Sequence, residues 1–84
     1  MYSILLIETG EYLYRIKERG LGHDFDIYSK EEVLDYYSPH IFKPVEVDTI
    51  TEAEQILSRS CRIKLNGEFI TPTEHSILFE IVEI

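Results

Sequence analysis

Both ends of this chain carry apolar side chains on the two faces of segments that read as β-strands. In residues 77–84, Ile77, Phe79 and Ile81 alternate with Leu78, Val82 and Ile84. Near the start, Ile4 and Leu6 alternate with Leu5 and Ile7. Successive strand side chains point to opposite faces, so a strand apolar on both belongs in the middle of a sheet covered on both sides. A chain of 84 residues has little material to do the covering. Two short helices cover one face and hardly two. Either the sheet curls into a partial barrel around its own core, or another chain covers the second face. The expected fold is a single α+β domain over residues 1–84, a mainly antiparallel sheet of five to seven short strands with two short helices.

Local signals place those elements. Residues 2–8 and 12–19 read as a hairpin around Thr9-Gly10-Glu11, with Gly10 free to take positive φ. In its second strand Tyr12, Tyr14 and Ile16 share one face, and Leu13, Arg15, Lys17 and Arg19 the other. Gly20 and Gly22 mark a bend, and residues 24–28 a short strand with Phe25 and Ile27 on one face. Ser29-Lys30-Glu31-Glu32 has the capping-box form, with Tyr28 and Val33 placed to staple the helix start. Val33, Leu34 and Tyr37 form the predicted inward stripe, Tyr36 falls off it, and Pro39 stops the helix. A second strand–helix unit follows. Val45 and Val47 alternate with Glu46 and Asp48, Thr51-Glu52-Ala53-Glu54 repeats the capping box, and Ala53, Ile56 and Leu57 form the stripe. Asn66-Gly67 is a strong two-residue hairpin signal; it sets Leu65 against Glu68 and Ile63 against Ile70. Thr71-Pro72-Thr73-Glu74 reads as a turn before the last strand.

Charge is the most usable functional clue. Eight Lys and Arg stand against sixteen Asp and Glu, a formal charge of −8. That balance argues against a role in which the whole molecule is drawn to nucleic acid or an anionic membrane, while leaving room for a small local basic patch. Residues 24–54 hold nine acids against Lys30 and Lys43, a net −7, so nearly all the excess lies in the two strand–helix units. Helix capping and solubility explain many such carboxylates without any partner.

Chemistry finds little support. His23, His40 and His75 lie far apart, with no metal-ligand spacing, so no metal site is expected. The single cysteine, Cys61, alternates with Ile63 and Leu65 and reads as a core residue rather than a nucleophile. It cannot form an intramolecular disulfide, and no apolar run approaches the roughly 20 residues that cross a bilayer. A cytoplasmic, reducing compartment is the expected location. Gly20-Leu21-Gly22-His23 lacks the lysine and hydroxyl of a phosphate loop. Arg15, Lys17 and Arg19 point away from Tyr12 and Tyr14, so they suit a charged edge strand better than a base-stacking surface.

The expected function is therefore that of a small acidic binding protein, without enzymatic activity or cofactor, acting by stoichiometric protein–protein contact. A phage-type inhibitor of this kind occludes a basic or nucleic-acid-binding surface of a larger protein, such as a nucleic-acid-handling or defence enzyme, sometimes by mimicking nucleic acid with carboxylates. Glu31, Glu32, Asp35, Glu52 and Glu54 supply the charge in this reading, with Tyr36 as an anchor. No direct contact with nucleic acid or membrane is expected. Two alternatives stand beside it: a homodimeric module binding a small molecule or nucleotide, and an accessory subunit of a larger assembly.

Overall fold

A computed structural model describes residues 1–17, 26–60 and 62–84. The expected strand over 24–28 falls partly outside these residues, and the Gly20–Gly22 bend, Arg19, His23 and Cys61 fall wholly outside. Seven strands and two α-helices are described: β1 (Tyr2–Leu6), β2 (Glu11–Tyr12), β3 (Tyr14–Ile16), α1 (Lys30–Leu34), β4 (Phe42–Pro44), α2 (Ile50–Arg59), β5 (Ile63–Leu65), β6 (Glu68–Ile70) and β7 (Phe79–Glu83). The α+β class and the antiparallel pairing agree with the sequence.

The first sheet has the order β2-β1-β7. Strand β1 is central, as its two apolar faces demand. Strand β7, with the same pattern, is at the edge, and this corrects the expectation that both would lie inside. The first hairpin is also longer-looped than expected. Leu5 pairs with Tyr12 and Leu6 with Glu11, so residues 7–10 form the turn, with Gly10 at φ +71°.

Leu13 sits between β2 and β3 as a corner. Its N–H donates to the Ile4 carbonyl at 2.9 Å, and its own carbonyl accepts from Val45 N at 3.0 Å. One segment thus leaves β1 and joins β4, where Arg15 faces Lys43 and Ile16 faces Phe42. Single bridges from Tyr2 to Val47 and from Tyr14 to Tyr28 tie the sheets together further. This bent sheet folds around one core containing Ile4, Leu6, Leu13, Ile27, Val45, Val47, Ala53, Ile56, Ile63, Leu65 and Phe79. Among the described residues no strand pairing closes it into a barrel.

Helix α2 brings Ala53 and Ile56 to that core, with Leu57 half-buried beside them, as the stripe predicts. Its start is earlier than predicted. Thr49, not Thr51, is the N-cap, and its hydroxyl accepts from Glu52 N at 3.1 Å. Thr49-Ile50-Thr51-Glu52 also has a hydroxyl three residues before a glutamate, and only its hydroxyl half is made, so the capping box expected at Thr51 is replaced by a simple Thr49 cap. Helix α1 starts at Ser29 with both halves of the capping box made. It ends at Leu34, one turn short of the expected length, so Leu34 and Tyr37 never reach an inward face. Leu34 is 69% exposed and Tyr37 fully exposed.

The hairpin β5–β6 has the register read from its turn, Leu65 opposite Glu68 and Ile63 opposite Ile70. Asn66 and Gly67 have φ of +51° and +81°, the two positive values that a two-residue hairpin turn of this twist requires. A Cβ at Gly67 would meet no atom within 4 Å, so Gly67→Ala costs backbone strain alone, about 1 kcal/mol. In a domain of this size that lowers the melting temperature by roughly 5 °C, measurable by thermal denaturation. An unchanged midpoint would mean that the turn has another conformation.

Candidate functional site

The acidic residues divide into two groups with different surroundings. The first group is on and around α1. Glu31 extends both carboxylate oxygens to the tip of the β5–β6 hairpin, accepting from Asn66 N at 3.1 Å and Gly67 N at 2.9 Å. Two successive residues at positive φ turn their N–H groups to one side, which makes a small anion-binding concavity. Glu32 accepts from Lys64 N at 2.7 Å while its reach back to Ser29 N, at 3.4 Å, completes the capping box. Asp35 forms an ion pair with Lys64 Nζ at 3.6 Å, and Glu8 accepts from Asn66 Nδ2 at 3.3 Å. Glu31, Glu32 and Asp35 fasten the hairpin to a helix some thirty residues earlier in the chain, and Glu8 joins it from the first turn. Glu31, Glu32 and Asp35, expected at a partner surface, have partners inside the molecule.

The second group surrounds the start of α2. Glu46 and Asp48 are the exposed alternates of buried Val45 and Val47, and Glu52 and Glu54 follow on the exposed side of the helix. Half-exposed Ile50 lies among them. Residues 44–58 contain no Lys, Arg or His, and no basic side chain among the described residues pairs with any of the four carboxylates. Glu54 also borders a shallow groove of about 310 Å³ lined by Leu57, Ser58, Pro72, Thr73 and Ser76. Of the residues expected at the site, Glu52 and Glu54 are both exposed, two residues apart and so on opposite flanks of the buried stripe of α2. Glu46 and Asp48 alternate with buried Val45 and Val47 as the sequence predicts, although the strand expected there is displaced to Phe42–Pro44 and only Val47 makes a bridge.

Tyr36 and Tyr37 exchange the roles the sequence suggests. Because α1 ends early, the chain turns and Tyr36 N–H donates to the Val33 carbonyl at 3.2 Å. The half-exposed Tyr36 ring packs edge-to-face on Tyr28 (5.9 Å) and on Phe42 (4.8 Å), and Tyr28 and Phe42 also meet at 5.0 Å. Burial, helped by Tyr36 and Asp26, pushes the Tyr28 hydroxyl up to about 12. It stays protonated across the physiological range, with its ring packed against the Tyr36 and Phe42 rings. The free aromatic is Tyr37, beside exposed Leu34.

The basic residues are dispersed. Arg15 lies opposite Lys43 on β3–β4, and Lys17 follows β3. On the far hairpin, Arg62 stacks over the Phe69 ring at 4.3 Å. His40 lies in a short 3-10 turn, and His75 Nδ1 is 3.2 Å from the Thr71 carbonyl oxygen. Among the described residues no three His, Cys, Asp or Glu side chains are grouped to hold a metal ion, and no helix is long and apolar enough to cross a membrane. No protein-family model, curated protein or solved structure matches this chain.

Proposed function

We propose that this chain is a stoichiometric binding protein that docks the acidic start of α2 on a basic surface of a larger protein. The observation that supports it is the exposed set Glu46, Asp48, Glu52 and Glu54, none of them in an ion pair with a basic side chain among the described residues. Carboxylates at the positive end of a helix are stabilised locally. Glu46 and Asp48 precede the helix, so capping does not explain the whole group. A surface of one sign accelerates encounter with a partner of the other and disfavours wrong partners. Ile50 and the groove beside Glu54 add apolar contact, and the bound chain occludes the basic surface sterically and electrostatically. A basic site of this kind belongs to a nucleic-acid-handling or defence enzyme, which makes the chain an inhibitor of the phage type, working in the cytoplasm. Glu31, Glu32 and Asp35 have no part in this contact, being engaged with the hairpin.

The test compares capture of partners from host lysate by the native chain and by the Glu52→Lys/Glu54→Lys double variant. The expected partner is retained by the native chain at low ionic strength and lost by the variant. It is also released near 1 M salt, where the screening length is roughly 3 Å. A partner held equally by both chains, or indifferent to salt, would sink the proposal.

A further inference from the structure

Strand β7 lies at an edge, with apolar residues on both faces (Phe79 and Ile81, Val82) and one exposed glutamate on each, Glu83 and Glu80. Ile84 N–H donates to the Met1 carbonyl at 2.9 Å and Ile7 N–H to the Leu78 carbonyl at 3.0 Å. These bonds fix the phase of the ladder. The even-numbered residues of β7 bond to β1, and Phe79, Ile81 and Glu83 turn their backbone groups to the opposite side. The Phe79 N–H is taken by the Ser76 carbonyl. The Phe79 carbonyl and the N–H and C=O of Ile81 and Glu83 face an edge where no described strand pairs.

The edge of β4 shows how this chain protects an edge elsewhere. Lys17 N–H donates to the Ile41 carbonyl and Val45 N–H to the Leu13 carbonyl, so Phe42 and Pro44 are the outward residues there. Phe42 N–H is bound to the Pro39 carbonyl and Pro44 has none. With Lys43 between them, that edge offers no donor to a further strand. Strand β7 carries no proline, lysine or bulge. Its outer face is mixed: Val82 and Leu5 are half-buried, Ile84, Met1 and Ile7 are exposed, and exposed Glu80 and buried Ser3 lie between them.

We propose that β7 pairs antiparallel with β7 of a second copy of this chain, across a two-fold axis at Ile81 or Val82. The pattern of charge on the strand fits that occupant. An axis at Ile81 sets Glu80 opposite Val82 and Glu83 opposite Phe79; an axis at Val82 sets Glu80 opposite Ile84 and Glu83 opposite Ile81. Neither places carboxylate against carboxylate, whereas an axis at Glu80 or Glu83 does. The same phase lets the outward groups of Ile81 and Glu83 bond reciprocally, as a two-fold contact demands. The two three-stranded sheets become one of six, and both copies of β7 become central. The pairing uses a different surface from the acidic start of α2 and stands independently of it. Two chains of charge −8 repel, so salt strengthens this contact where it weakens docking on a basic partner.

Sedimentation equilibrium of the full chain tests the proposal. The expected result is self-association to twice 9.9 kDa, tighter at higher salt. Glu83→Pro removes an outward donor from each copy and is expected to weaken association about tenfold or more, with the circular dichroism of the folded chain retained. In the unaltered chain, hydrogen exchange at Ile81 N–H is expected to slow as concentration rises, a readout that decides even where the proline variant does not fold. A mass of 9.9 kDa up to millimolar concentration, an unweakened folded proline variant, or concentration-independent exchange at Ile81 overturns it.

Discussion

Leu13→Ala is expected to destabilise the fold by about 3 kcal/mol, within the range for truncating a fully buried leucine. Leu13 has no exposed surface, and its backbone links Ile4 on one sheet to Val45 beside the other. Its side chain fills the core where the two sheets diverge, so a cavity there has walls on several elements and collapses poorly. Total stabilities are about 5–15 kcal/mol for domains generally, so this one change removes a large share. Urea unfolding measures it as a fall in midpoint with unchanged slope. A loss below about 1 kcal/mol would show that the corner residue is not where the sheets are held together.

Glu32→Ala is expected to cost about 2–3 kcal/mol, since it removes a helix cap and a charged acceptor together. The variant leaves Ser29 N–H and Lys64 N–H without the carboxylate that accepts from both. Because the Lys64 amide is partly buried, losing its acceptor costs more than an exposed bond would. Glu32→Gln keeps an acceptor of the same length and is expected to lose roughly half as much. Hydrogen exchange locates the effect: the Lys64 amide should exchange faster in the alanine variant, while the Ile4 amide follows only global stability. If both amides respond alike, the carboxylate acts on α1 alone and does not fasten the hairpin.

The two changes illustrate what is legible in a sequence and what is not. Glu32 is readable as half of a capping box because its partner, Ser29, is three residues away. Its second role, at Lys64, lies 32 residues further on, and no local pattern announces it. The charge of α1 is visible in the sequence; the bonds that carry Glu31 and Glu32 to the hairpin are not. Helix length went the same way. The apolar residues of α1 suit a longer helix, but Tyr36 finds Tyr28 and Phe42 in a turn, and those contacts hold the chain away from helical geometry.

By itself the sequence determined the α+β class, the Asn66-Gly67 turn with its register, the Ser29 cap and the inward stripe of α2. Each depends on residues within about four positions, or on alternation along one strand, where bonded geometry sets the outcome. Tertiary structure alone decided that Leu13 turns a corner, that Glu31 and Glu32 hold a distant hairpin, and that β7 lies outside β1. Those outcomes depend on which surfaces meet once the chain closes its long loops, and that is a competition among distant partners for the same buried space.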